Sequence, residues 1–370
     1  MEEILGFLET STREDKREKR KVLHKLKDII IIVLFAKLAN ADNWVEIWHF
    51  AKAHESFLRE YIELENGIPS HDTIERNFAI LEPRYLQKLQ QMWNEKLSTD
   101  EGEKLKRIIL SLDGKTQRGN KNSKQKANHI VNAVDEDGMC WGEKLVGQKT
   151  NEITAIPELL DDLKIANTII TIDAMGTQVE IAAKIRKKRA DYVLALKRNH
   201  SDFHEEVETY FADEEFRKKC EYTYKIEKAR GGIEKREYWQ TSDISWLSGK
   251  EKWAGLCSIG MTKNTIIKGE KTIEEIRYYI SSLAVDVDEF ARCVRGHWRV
   301  ESFHWLLDVT FREDHCKVYE KRAAFNLNII NKMALAVLRS IDIGYKVGAK
   351  TKRYIISQNP EKYIRMILES

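Results

Sequence analysis

Residues 107–113 read RIILSLD and residues 168–173 read TIITID, two short apolar runs that each close on an aspartate. Runs of this length, rich in Ile and Leu, read as buried strands. Each acid is followed by a small, glycine-containing segment, Asp113-Gly114-Lys115 and Asp173-Ala174-Met175-Gly176. An acid at the end of a buried strand, next to glycine, is where a sheet presents a ligand to a cleft. Either aspartate alone is as well explained as a turn former; the pair carries the argument. Between and beyond them, 129–135 (HIVNAVD) and 139–146 read as strands joined by the turn Glu136-Asp137-Gly138. Residues 151–163 and 177–189 read as helices, and 192–196 (YVLAL) as a fifth strand. The order is three strands, helix, strand, helix, strand.

Upstream, from about residue 2 to 96, apolar residues recur at helical spacing. Asn66-Gly67-Ile68-Pro69 interrupts this region, Ser70 reads as an N-cap and Glu82-Pro83 closes the helix that follows. The apolar run 29–38 is too short to span a bilayer and reads as a buried helix. We therefore expect an all-helical N-terminal domain over residues 1–97 and an α/β domain over 98–370. The latter carries a β-rich insertion at about 215–285, where 221–227, 235–241, 253–261 and 275–282 read as antiparallel strands. Within the insertion Trp239, Trp246 and Trp253 read as core or hairpin anchors. A helix over 286–307, another over 321–339 and a basic, peripheral tail complete the chain.

Composition narrows the class. The 62 basic and 59 acidic residues leave a net charge of only +3, so any nucleic-acid surface must come from local clustering. Five scattered cysteines in no Cys-x-x-Cys spacing argue against a disulfide framework or zinc knuckle and fit a reducing cytoplasm.

The strand order resembles the ribonuclease H-like fold, a mixed sheet with flanking helices. There the first and fourth strands lie side by side, which would bring Asp113 and Asp173 together. Two adjacent carboxylates repel, and a hard divalent cation is the usual remedy. The third acid is expected on a helix after the sheet. In 294–314 (VRGHWRVESFHWLLDVTFRED) His297, Glu301, Trp305 and Asp308 fall on one face at about 100° per residue. An amphipathic core helix accounts for Trp298, Trp305, Leu306 and Val309 but poorly for the polar stripe. We take Glu301 as the ligand and His297 and His304 as structural or substrate-contacting. Three carboxylates holding two Mg²⁺ ions, with Mn²⁺ as substitute, suit in-line phosphoryl transfer.

At these residues the chain resembles bacterial insertion-sequence transposases of the DDE type, in the group that includes the H-repeat-associated proteins. The words are NGIPSHDTIER (66–76), LDGKTQRG (112–119), NEITAIPELL (151–160), TIDAMGTQ (171–178), YVLALKRN (192–199) and the stretch 297–314. The resemblance implies Asp113, Asp173 and Glu301 as the catalytic and metal-binding triad, cleavage of element ends and strand transfer into target DNA. It implies as partners the terminal inverted repeats and target as double-stranded DNA, a homodimer in the synaptic complex, and a bacterial cytoplasmic protein that is nucleoid-associated when bound. The chain departs from the group at Arg198 and His200, where Gly and Gln are usual, and at Gly232, where an arginine is usual. It also departs at His297 and Asp308, where the wider class carries Arg and Lys.

Lys115, Arg118, Lys121, Lys124 and Lys126 follow Asp113 with no intervening acid, and we read Lys115, Arg118 and Lys121 as phosphate contacts near the scissile bond. Lys197, Asn199 and His297 are further DNA-contacting candidates. At the front end, Ser70, His71, Thr73 and Arg76 open a helix after a tight turn, as a groove-entering helix would; a plainly structural capped helix fits the same residues. Three alternatives share part of the pattern: a nuclease of the same fold, an inactive or domesticated transposase-derived DNA-binding protein, and a two-carboxylate glycosidase. The basic segment and helical front end disfavour the last.

Overall fold

The computed structural model describes Gly6 and residues 22–98, 106–123, 125–147, 150–229 and 232–369. Lys124, Arg230 and residues 1–5 and 7–21 of the helical front end lie outside them. Among the described residues nine strands form one sheet in the order β3-β2-β1-β4-β5-β9-β8-β7-β6. The first five are β1 (Ile109–Gln117), β2 (Asn128–Asp135), β3 (Cys140–Leu145), β4 (Ile169–Ile172) and β5 (Asp191–Leu196). β1 runs parallel to β4 and antiparallel to β2, with Leu112 opposite Ile172 and Asp113 opposite Asn132. The chain has the mixed sheet and flanking helices of a ribonuclease H-like domain.

β6 (Glu221–Ala229), β7 (Gly232–Thr241), β8 (Ser258–Lys268) and β9 (Lys271–Ser281) form an antiparallel meander. Its last strand pairs with β5, so the β-rich insertion continues the core sheet. β8 starts at Ser258 rather than at 253, because 249–256 holds two turns with left-handed glycines, Gly249 and Gly255. The tryptophans differ as well: Trp253 is buried and Trp246 stacks on Tyr210 at 4.9 Å.

Alternation along β1 splits its side chains between two layers. Leu110 and Leu112 join the apolar core formed with α5 (Glu152–Asp162), α6 (Val179–Lys187) and α7 (Ser201–Ala212). Ile109 packs with Phe290, Cys293 and Val294 of α8 (Val287–Phe311) on the other side. Ser111, Asp113 and Lys115 share the α8 side by the same alternation.

Among the described residues the front end includes the longer helices α1 (Leu26–Leu38), α2 (Trp44–Ala53), α3 (His71–Ile80) and α4 (Pro83–Leu97) and a single turn at Glu55–Leu58. Its apolar residues form one core with α9 (Lys321–Ser340), the C-terminal half of α8, and the last two helices, α10 (Ala349–Gln358) and α11 (Pro360–Glu369). The tail is therefore not peripheral. Arg353 is 0% exposed and its guanidinium donates to the carbonyls of Lys37 (2.6 Å), Ala41 (3.0 Å) and Thr310 (2.5 Å) while pairing with Asp42 at 2.7 Å. The carbonyls of Lys37 and Thr310 lie in the last turns of their helices, where no intrahelical donor reaches them, and that of Ala41 lies in the loop after α1. α4 guards the outer edge of β3, since Gln87 donates to the Glu143 carbonyl and Asn94 to that of Cys140, both at 2.7 Å.

Candidate active site

Asp113 lies inside β1, not at its end; the strand continues through Gln117 because Lys115 and Gln117 are buried and pair across to β2. Asp173 sits one residue past β4, next to Asp113 by the parallel register. Its Oδ1 accepts from the amides of Met175 (3.1 Å) and Gly176 (3.2 Å), which explains the small residues after it. Gly114 lets two side chains come close: a Cβ there would stand 2.1 Å from Glu152 Oε1 and 2.6 Å from His129 Nε2 and would displace them. Those two side chains pair at 2.6 Å directly beside the site.

α8 lays a polar stripe against this face of the sheet. His297 Nδ1 lies 3.1 Å from Thr171 Oγ1, which donates to Ser111 at 2.9 Å. His304 Nδ1 stands 3.5 Å from Asp113 Oδ2. Asp308 accepts from Lys115 Nζ at 2.6 Å through both oxygens. Glu301 falls on the same stripe between His297 and His304, with its side chain exposed. The face is thus His297-Glu301-His304-Asp308, and Trp305 turns outward. Trp305 is 61% exposed, against the expectation that it packs the core, because His304 occupies the sheet-facing position. Trp298 is half-buried under the Arg277 guanidinium at 4.6 Å.

The electrostatics are those of crowded acids. Burial works to raise the Asp113 carboxyl, but the hydrogen bond from His304 and the imidazoles of His304 and His297 outweigh it and hold it below the usual range. Burial pushes Glu301 up, and the Asp113 charge adds to it. Burial lowers His297 against the pull of Asp113 and Asp173. A cavity of about 140 Å³ opens beside Asp173, lined among others by Lys197, Arg277, His297 and Trp298.

The carboxylate donor set fits a hard divalent cation, and Asp113 and Asp173 are neighbours by register. No group of three or more His, Cys, Asp or Glu side chains among the described residues is arranged to hold a metal ion.

The other sequence-derived candidates divide by exposure. Lys115 is buried and held by Asp308, so it is not a free surface charge. Arg118 is exposed, with a loose contact to Asp314 at 3.8 Å, and Lys121 is exposed. Lys197 is exposed at the cavity mouth, whereas Asn199 donates to the Ala174 carbonyl at 2.8 Å and braces the Asp173 turn. In α3, Ser70 Oγ accepts from the Thr73 amide at 3.2 Å, and Ser70 and Thr73 hydroxyls meet at 3.0 Å. Arg76 folds back on the Asp72 carbonyl, and His71 contacts Asp72. Sequence reasoning missed Asn132, His129 and Glu152, although Glu152 lies in the word NEITAIPELL; nothing in their spacing announces that they meet Asp113 and Gly114.

Comparison with known proteins shows the family of the chain. The family described as transposase DDE domain matches residues 104–337, and the family described as DDE_Tnp_1-associated matches 11–94. A protein of Escherichia coli O157:H7 named "Putative transposase YncI" is 36% identical over 381 aligned positions, covering 100% of this chain and 95% of that one. "H repeat-associated putative transposase YhhI" of Escherichia coli K12 is 33% identical over 348 positions, covering 91% of each.

Proposed function

From the premise that the chain belongs to the DDE transposase family, we propose that it is a divalent-metal-dependent DNA transposase that cuts the ends of its element and joins them to target DNA. The observation that carries this reading is the placement of Asp113 in β1 and of Asp173 directly after the parallel neighbour β4, one step beyond the Leu112–Ile172 pair, beneath the helix that bears Glu301. These three residues would hold two Mg²⁺ ions, or Mn²⁺ in their place. Metals so held supply Lewis-acid polarisation of the scissile phosphate and a nucleophile usable at neutral pH.

The chain's own residues orient that chemistry. The amides of Met175 and Gly176 fix one oxygen of Asp173, leaving the other for the cleft. His297 locks α8 to β1 and β4 through Thr171 and Ser111, which sets the height of Glu301. Lys115 and Asp308 clamp the far end of the same stripe. Arg118, Lys121 and Lys197 contact DNA phosphates, and the helical front end, through Ser70, His71, Thr73 and Arg76, reads the terminal repeats. Two copies bring the two ends together.

The test is cleavage and joining of labelled element ends with Mg²⁺ or Mn²⁺. Asp113→Asn, Asp173→Asn and Glu301→Gln each abolish both and keep DNA binding; near-normal activity in any of the three removes that residue from the assignment. Pre-cleaved ends that are never joined by an enzyme that still cuts would make the protein a nuclease instead.

A further inference from the structure

Behind Asp113 lies a buried polar chain that the proposed reaction does not itself use. Lys332 of α9 and Glu143 of β3 pair at 3.0 Å with both side chains 0% exposed. Lys332 also donates to Asn132 Oδ1 at 2.6 Å. Asn132, buried opposite Asp113 in the β1–β2 register, places its Nδ2 3.0 Å from His304 Nε2. His304 Nδ1 then faces Asp113 Oδ2 at 3.5 Å. The β2–β3 hairpin and the distant helix α9 are thus linked in series to one imidazole.

The direction of each bond follows from chemistry. A lysine ammonium has donors and no acceptor, so the group of Asn132 that faces it must be the oxygen. That leaves the amide NH₂ for His304, and an NH₂ has only hydrogens to offer. Nε2 must therefore be the unprotonated acceptor, and the ring proton resides on Nδ1, toward Asp113. Flipping Asn132 would set NH₂ against ammonium in a buried site, which is costly.

We infer that Lys332, Glu143 and Asn132 act as a positioning relay that holds His304 as the Nδ1–H tautomer, with that N–H presented to Asp113. The consequence builds on the transposase reading: Asp113 keeps a fixed hydrogen-bond donor on one oxygen, and its orientation is set from the protein interior before any ligand arrives. Partners of this kind, which orient the groups around a metal ligand, are worth about 10- to 100-fold in activity.

The experiment reads the tautomer directly, in the full-length protein without DNA or metal, so it stands or fails apart from the transposase reading. Nitrogen-15 NMR of the labelled imidazoles, with the His304 signals assigned by their loss in His304→Gln, should show Nδ1 protonated and Nε2 bare. Asn132→Asp offers only acceptors, so Nε2 should gain a proton facing it while the Nδ1–H still faces Asp113. The double variant Lys332→Met with Glu143→Met removes both buried charges together, which leaves no unpaired ion to unfold the protein, and should give a mixture of tautomers. Cleavage of element ends should fall about 10- to 100-fold in Asn132→Asp with unchanged DNA affinity. A native Nε2–H signal overturns the inference, as does ring protonation unmoved in both variants. Ring protonation that changes with no loss of cleavage overturns the positioning role.

Discussion

Two buried ionic assemblies in this molecule look alike and end differently. Arg353 and Asp42 sit in the helical half, where the guanidinium runs out onto the backbone carbonyls of Lys37, Ala41 and Thr310 and lies 4.5 Å over the Phe311 ring. Lys332 and Glu143 sit at the border of the sheet, where the ammonium runs out onto Asn132 and so to His304 beside Asp113. Carbonyls at helix ends and in the loop after α1 are fixed by the fold and take no part in chemistry. An amide side chain can pass on its orientation. The difference teaches that burial of charge does not by itself mark a functional residue; what the last polar atom touches decides it.

The comparison is broken most sharply from the catalytic side. Asp113→Asn should reduce cleavage of element ends to background while leaving the thermal unfolding midpoint close to that of the parent, because a half-buried carboxylate against His304 loses charge but not shape. A protein that unfolds instead would mean that Asp113 belongs to the scaffold, as Arg353 does.

Arg353→Met should do the reverse. It leaves Asp42 buried without its nearest guanidinium partner and strips donors from three carbonyls, a loss of about 3–5 kcal/mol. Denaturant unfolding measures it; at temperatures where the variant is folded, cleavage per folded molecule should match the parent. Lowered activity in the folded fraction would show that the helical half communicates with the site.

Trp305 sharpens the contrast at the surface. It is exposed on α8 beside the stripe that carries Glu301 and offers a flat face to an unpaired base. Trp305→Ala should weaken binding to element ends that carry a single-stranded tail by about 1–3 kcal/mol with no effect on stability. Equal binding by titration would reduce it to an incidental surface aromatic.

The smallest effect is expected at α3. Ser70→Ala removes the hydroxyl that accepts from the Thr73 amide and should cost about 1 kcal/mol of stability. If Ser70 also reads the terminal repeat, an electrophoretic shift should show discrimination between specific and scrambled ends falling beyond that loss. Point substitutions are the right probe here. Removing residues 1–97 would uncover the apolar face of α9, which shares a core with α1, α3 and α4, and would confuse recognition with unfolding.

Much of the fold was legible in the chain itself. Two apolar runs ending in Asp113 and Asp173, with helices between them, follow from residue type and period, since alternating burial and helical spacing are local properties. Ser70 as a cap and the break at Glu82-Pro83 were legible for the same reason: a cap is satisfied within three residues and proline acts on its neighbour. Glu301 was readable as one member of a polar stripe on a core helix. What local pattern could not decide was which long-range partner each polar residue finds. Lys115 reads as the first of a basic run, yet the continuation of β1 carries it inward to Asp308. Trp305 reads as core, yet the sheet takes His304 at the adjacent position. The basic tail reads as solvated, yet Arg353 finds helix-end carbonyls that exist only once α1 and α8 have packed. Asn132 and Lys332 carry no signal at all in sequence. Propensity acts over a few residues, whereas the direction of a buried hydrogen bond is settled by whichever donor the tertiary packing brings to within about 3 Å.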